Sequence, residues 1–310
     1  MIKKTKKNFN LSGIISVLLI VIGICLFLYP TISKLLVENS QQGAIFNYEE
    51  KVSTYSQEYI NEEIKKAKEY NESLVGEPTH DPFLEDTGRA LPTNYTDVLS
   101  TDNEGTIGFI KIPKIDVNIP VYHGTAADTL EKGVGHIRES DFPIGGQGTH
   151  SILTGHSGLP NATMFDNLGK MTNGDLFCIT ILDKTLCYKV DDIQVIEPSD
   201  LSKIAREKDK DYVSLITCTP YGVNTHRLVV RGERLTLNES EENISDIKPE
   251  ISTEKQLIYS IIFIMFLIFI FAIVSKLFSI ISKTIKNQKK MEEKQINEAK
   301  NKSQQIKNTK

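Results

Sequence analysis

Two uncharged apolar stretches, Leu11 to Tyr29 and Gln256 to Ser275, bracket most of this 310-residue chain. Each is about 20 residues, the length that crosses a hydrocarbon core as a helix. Neither belongs on a water-facing surface, so whatever folds between them is tied to a bilayer at both ends. Residues 11–30 read as a transmembrane helix or signal anchor. The apolar run is longer than the core of a cleaved signal peptide, and no clean small-x-small site follows it. Residues 256–275, rich in Phe and Ile, read as a second span.

Charge orients the two spans. Residues 1–10 hold four lysines and no acid, and residues 276–310 hold ten lysines and three glutamates. The whole chain nets −4, so residues 11–275 carry −15. Lysine excess beside both spans places both tails in the cytoplasm, and the acidic middle outside the cell. The basic tail reads as a solvated, partly helical extension able to touch anionic lipid. Nothing in the middle calls for nucleic acid, metal or cofactor.

Between the spans the chain changes character several times. Residues 39–75 read as an N-terminal helix, with no proline and a Tyr48, Val52, Tyr55, Tyr59 stripe. Residues 76–103 break that pattern with turn formers and few periodic apolar positions, and long segments of this kind are functional or disordered. Residues 104–235 consist of short strand-like runs, over 106–112, 117–122, 151–154, 176–182, 185–196, 212–218 and 227–235. Brief helical patches fall at 125–132 and 164–171. Turn signals such as Gly145-Gly146 and Asn173-Gly174 separate the runs. Strands so short and numerous predict a mainly β fold, a closed barrel. Residues 236–255 read as a linker to the second span.

Four cysteines divide by position. Cys25 lies in the first span as a small apolar residue. Cys178 and Cys187 flank a turn at Leu182-Asp183-Lys184. They are placed for a cross-strand disulfide, although two buried thiols is the plainer reading. Cys218 is left over, and an unpaired cysteine in an exported domain marks a reactive thiol.

Cys218 closes the apolar run from Ser214. A Pro220-Tyr221-Gly222 loop follows, and Arg227 opens the next run. An antiparallel pair closed by that loop sets Cys218 opposite Arg227 on one face, with Leu215 opposite Val230 and Thr217 opposite Leu228 on the other. A fixed cation beside a thiol favours thiolate and polarises a carbonyl. A cysteine nucleophile also needs a proton carrier. Among six histidines, His156 stands out, at the end of the strand Ser151 to Thr154 in the turn Gly155-His156-Ser157-Gly158. His226 should point away from Arg227. His123, His136 and His150 read as structural or surface residues, and His80 belongs to the irregular segment. No His/Cys cluster has zinc spacing.

These residues resemble sortases, membrane-held cysteine transpeptidases of Gram-positive bacteria. The family's Thr-x-Thr-Cys appears as Leu215-Ile216-Thr217-Cys218, with leucine in the first place. The order His156, Cys218, Arg227 also matches, and Ser157 departs from the arginine often found after the histidine. Asp81-Pro82-Phe83 resembles the Asp-Pro-aromatic lid of class C, pilin-polymerising sortases, and the second span and the run Cys218 to Arg227 are similar to that class. The resemblance implies a sortase-type barrel of about eight strands. It implies that Cys218 attacks the Thr–Gly bond of a Leu-Pro-x-Thr-Gly-like sorting signal on a pilin or surface protein. His156 then protonates the leaving amine, and Arg227 positions the substrate and steadies the oxyanion. A pilin lysine amine resolves the thioester. In the lid, Asp81 would pair with Arg227 and Phe83 would cover the thiol. Two other readings stand beside this one: anchoring of surface proteins to peptidoglycan, and a non-enzymatic membrane-held β-domain that only binds peptide.

Overall fold

The computed structural model describes residues 11–74, 94–102, 104–200 and 204–235, with scattered positions between 262 and 296. It divides into two units, residues 1–247 and 248–310. The Asp81, Pro82 and Phe83 lid, His80 and most of residues 256–275 lie outside the described residues.

Eight strands form the first unit's barrel. They are β1 (Thr106–Ile112), β2 (Val117–His123), β3 (Val134–His136), β4 (Thr149–Thr154), β5 (Leu176–Ile181), β6 (Lys184–Ile196), β7 (Asp211–Thr219) and β8 (His226–Arg234). The barrel closes in the order β1-β2-β3-β4-β7-β8-β6-β5. β2 with β3 and β4 with β7 are parallel, and the other pairs are antiparallel. All seven strands expected from the sequence are present within a residue or two. β3 is not expected from the sequence: three residues with a glycine at their centre are too short to show a period of two.

The barrel is filled by side chains such as Ile107, Ile110, Leu153, Phe177, Tyr188, Val213, Leu215 and Val230, all fully buried. A second, smaller apolar cluster joins Ile137, Ile152, Ile196, Ile204, Ile216 and Val229. Ile216 and Val229 neighbour Leu215 and Val230 along their strands, and successive side chains point to opposite faces. The second cluster therefore lies on the outer wall of the barrel.

Among the described residues, three α-helices accompany the barrel: α1 (Leu11–Ser53), α2 (Gln57–Ser73) and α3 (Ala127–Lys132). The expected single helix over 39–75 is two. The Thr54-Tyr55-Ser56 stretch interrupts it, and the Ser56 side chain caps α2 by accepting from the Tyr59 amide. The tyrosine stripe divides accordingly, Tyr48 and Val52 buried, Tyr59 exposed. The Tyr48 hydroxyl donates to the Ile107 carbonyl at 2.8 Å and accepts from the Leu182 amide at 2.7 Å. Asn71 binds both backbone groups of Phe142. These bonds satisfy buried polar groups while docking the helices on the barrel. The helical patch at 164–171 is only a 3₁₀ turn, Leu168–Lys170. Among the described residues no helix is long and apolar enough to cross a membrane.

The reading of Cys178 and Cys187 as two buried thiols is overturned: they form a disulfide. The β5–β6 register sets them directly opposite each other, so both sulfurs share one face. They pack with Leu235 in a cluster apart from the main core.

Candidate active site

β7 and β8 pair as the sequence predicts, with Cys218 opposite Arg227, Thr217 opposite Leu228 and Leu215 opposite Val230. Alternation places Cys218 on the face of Ile216, the outer wall, so the thiol is not enclosed by the barrel. The Cys218 thiol is free of any disulfide and partly exposed. Arg227 is buried. One of its amino groups donates to the carbonyls of Asn224 and His226, each at 3.1 Å. The connecting loop thus fixes the guanidinium at its base, and an arginine held in this way is a preorganised cation.

His156 reaches the same place through β4. That strand runs parallel to β7, with Thr154 beside Ile216. The pairing continues past the strand end, where the Gly155 amide donates to the Ile216 carbonyl at 3.1 Å. The buried Thr217 hydroxyl then donates to the Gly155 carbonyl at 2.7 Å. The residue before the cysteine is tied to the residue before the histidine, so the His156 turn adjoins the end of β7 that carries Cys218.

Packing explains the glycines of the turn. A Cβ on Gly155 would lie 2.9 Å from the ring of Phe165. The amide of that fully buried phenylalanine donates to the His156 carbonyl at 3.0 Å. Gly158 has a φ of +86°, which favours glycine. Its amide donates to Asp166 at 2.7 Å. It also lies against Tyr221 and Gly222, so the His156 turn and the Cys218–Arg227 loop are neighbours. Tyr221 and Val223 are exposed apolar side chains on that loop.

Burial holds the His156 pKa below the ordinary imidazole value, and the Glu131 carboxylate partly counteracts this. At neutral pH the ring is therefore mostly the neutral base. The other histidines have structural bonds. His150 donates from Nδ1 to the Ala205 carbonyl and accepts at Nε2 from the Ser214 hydroxyl. His136 lies between the Tyr95 hydroxyl and the Asp141 carbonyl. His123 meets the carbonyls of Gly105 and Val98. Two residues near the site escaped sequence reasoning. Glu131 lies in the last turn of α3, and Gln41 of α1 donates both to the Lys132 carbonyl at 3.0 Å and to the Met164 sulfur at 3.2 Å. Neither carries a motif, and only the packing of distant elements reveals them. Among the described residues no group of three or more His, Cys, Asp or Glu side chains is placed to hold a metal ion.

A thiol on the outer wall of a closed barrel, with a guanidinium across the ladder and an imidazole turn alongside, is the equipment of a cysteine enzyme that works by acyl transfer. Residues 110–235 match the sortase domain family model. Sortase C-1 of Actinomyces oris is 45% identical, with a TM-score of 0.55 over 58% of this chain and 99% of its own. Sortase C of Streptococcus pneumoniae, described in connection with pilin substrate specificity, is 39% identical, with a TM-score of 0.58 over 63% of this chain and 97% of its own. Sortase D of Bacillus subtilis is 31% identical over 132 residues, 42% of this chain and just under two thirds (64%) of that protein. The chain belongs to the sortase family, whose members are cysteine transpeptidases.

Proposed function

We propose that the protein is a class C sortase, which cuts a Leu-Pro-x-Thr-Gly-like sorting signal between Thr and Gly and joins pilin subunits through lysine isopeptide bonds. The observation that carries this reading is the pairing of Cys218 with Arg227 beside the Gly155-His156 turn. The Cys218 thiolate adds to the threonine carbonyl carbon, and Arg227 steadies the oxygen as negative charge gathers on it. Collapse of that intermediate breaks the C–N bond, with His156 giving a proton to the departing amine. The product is a thioester on Cys218. A pilin lysine amine then attacks the thioester, passes a proton to His156 and releases the thiolate as the isopeptide bond forms.

Asp81, Pro82 and Phe83 act as a lid in this reading, with Asp81 pairing with Arg227 and Phe83 covering the thiol until substrate displaces them. The support is the Asp-Pro-aromatic motif and the likeness to class C structures, including one described with pilin substrate specificity. The enzyme is membrane-held through residues 11–30 and 256–275, with the barrel outside and both termini in the cytoplasm. The lysine asymmetry supports this, as do the exposed apolar side chains of α1, among them Leu26, Phe27 and Leu36.

A second reading, anchoring of surface proteins to peptidoglycan, uses the same thioester with a different amine. Competition separates the two. The full-length protein is offered a sorting-signal peptide together with a folded pilin and a glycine-type amine. Isopeptide product on the pilin lysine is the expected result. Exclusive transfer to the glycine-type amine would contradict the pilin reading.

A further inference from the structure

We infer that Glu131, at the end of α3, is a positioning residue for the transpeptidation: its carboxylate favours the proton-carrying form of His156, the form that serves the leaving amine. This rests on His156 being the proton carrier of the proposed function.

The placement follows from the backbone. β3 pairs antiparallel with β4, with Gly135 opposite Thr154 and His136 opposite Leu153. Continued by two residues, that register sets Gly133 opposite His156, and Glu131 lies just two residues before it. Gly133 is glycine for a steric reason, because a Cβ there would come within 2.5 Å of the Pro120 carbonyl oxygen and 2.8 Å of the Tyr122 ring. The α3–β3 junction therefore lies closely against β2. Gln41 fastens the arrangement from behind. This buried amide bonds to the Lys132 carbonyl on one side and the Met164 sulfur on the other. Met164 adjoins Phe165, whose amide holds the His156 carbonyl. One residue of α1 thus joins the segment carrying Glu131 to the segment that holds His156.

Several ionisable groups stand on the elements around that turn. α3 carries Asp128, Glu131 and Lys132, the segment after the turn carries Asp166, and β7 and β8 carry Cys218 and Arg227. Asp166 accepts from the Gly158 amide, and Arg227 is held by the carbonyls of Asn224 and His226. Glu131 is the charge whose field opposes the burial of the imidazole. Its side chain is solvent-exposed, so it acts through space without being sealed into the core, and its replacement should leave the fold intact. A half-buried imidazole with no such neighbour would seldom carry the proton that the leaving amine needs.

The test is a pH titration of His156 by NMR in the full-length chain, 13C-labelled at histidine, with the resonance assigned from its loss in His156→Gln. Glu131→Gln is expected to lower the His156 midpoint by about half a pH unit, the effect of removing one partly screened charge. Glu131→Lys is expected to lower it about twice as far, and added salt to shrink both shifts. The alkaline limb of the kcat/KM profile should move the same way while the thermal midpoint stays put. A His156 midpoint unmoved in both variants would overturn the inference and leave the His156 assignment standing. Full transpeptidation by His156→Gln would instead overturn that assignment, and this inference with it.

Discussion

The Thr217 hydroxyl donates to the Gly155 carbonyl across 2.7 Å, and with the Gly155 amide bond to the Ile216 carbonyl it ties the strand that carries Cys218 to the turn that carries His156. Thr217 is buried, so the Gly155 carbonyl has no ready water to replace it. Thr217→Val should cost about 1–3 kcal/mol of stability, the penalty for leaving a buried acceptor unmet. The cost in kcat should be larger, about tenfold or more, because small displacements of a proton carrier are amplified in rate. Thr217→Ser keeps the hydroxyl and should recover most of the rate. A kcat that merely tracks the melting temperature across both variants would argue against a geometric role for the bond.

Gly155→Ala probes the same turn from the other side. The added methyl meets the Phe165 ring at 2.9 Å, and overpacking of this kind costs about 1–3 kcal/mol. A shift of the Phe165 side would also move the His156 carbonyl that its amide holds. Shrinking the ring in Gly155→Ala/Phe165→Leu should return part of the activity that Gly155→Ala loses. Kinetics and melting temperature of the single and double variants check this, and simple additivity of the two losses would count against it.

Acid should unfold the barrel through two buried histidines. Burial depresses His136 to about 3 and His150 to about 4, below the ordinary value of about 6.5. With the folded pKa lowered, the unfolded chain binds more protons between those values, so folding stability is present above about pH 6.5 and declines as pH falls toward 4. The limiting slope is about 1.4 kcal/mol per pH unit for each histidine. Urea melts at a series of pH values should show this slope, and His150→Gln should reduce it. A flat profile between pH 6.5 and 4.5 would contradict the burial of both rings.

The Cys178–Cys187 bond closes a separation of nine residues, for which loop entropy gives a stabilisation of about 2–3 kcal/mol. Cys178→Ser/Cys187→Ser should lower the urea midpoint accordingly and leave kcat nearly unchanged, since the pair lies in a cluster apart from Cys218. Thiol counting on the denatured, unreduced chain should find two free sulfhydryls, Cys25 and Cys218. Four would show that the pair is reduced.

The lid carries its own test. If Phe83 covers the thiol, Phe83→Ala should speed labelling of Cys218 by a bulky reagent several-fold, with a small reagent less affected. Equal rates in the two proteins would remove the covering role.

The parts of this molecule governed by local pattern were legible in the sequence. The β7–β8 pair could be read from two apolar runs and a Pro-Gly loop, and the register of Cys218 with Arg227 followed from counting residues across it. The Gly155-His156 turn was legible because a glycine-flanked histidine ended an apolar strand. What failed was longer-ranged or finer than the patterns. The Ser56 cap was lost in a run of helix-forming residues and tyrosines. β3 was too short to show alternation. The Cys178–Cys187 bond depended on a hairpin register that a shift of one residue would have destroyed. Glu131 and Gln41 carry no spacing signal, because their importance comes only from where α1 and α3 meet the barrel.

The central claim is that Cys218 forms the acyl intermediate beside His156 and Arg227. The full-length protein, incubated with a sorting-signal peptide and no acceptor amine, is quenched in acid, digested and examined by mass spectrometry. The account predicts a thioester adduct on Cys218 carrying the peptide up to its threonine, with none in Cys218→Ala and loss of the adduct when an amine is added. An adduct on another residue, or peptide cleavage that persists undiminished in Cys218→Ala, would contradict it.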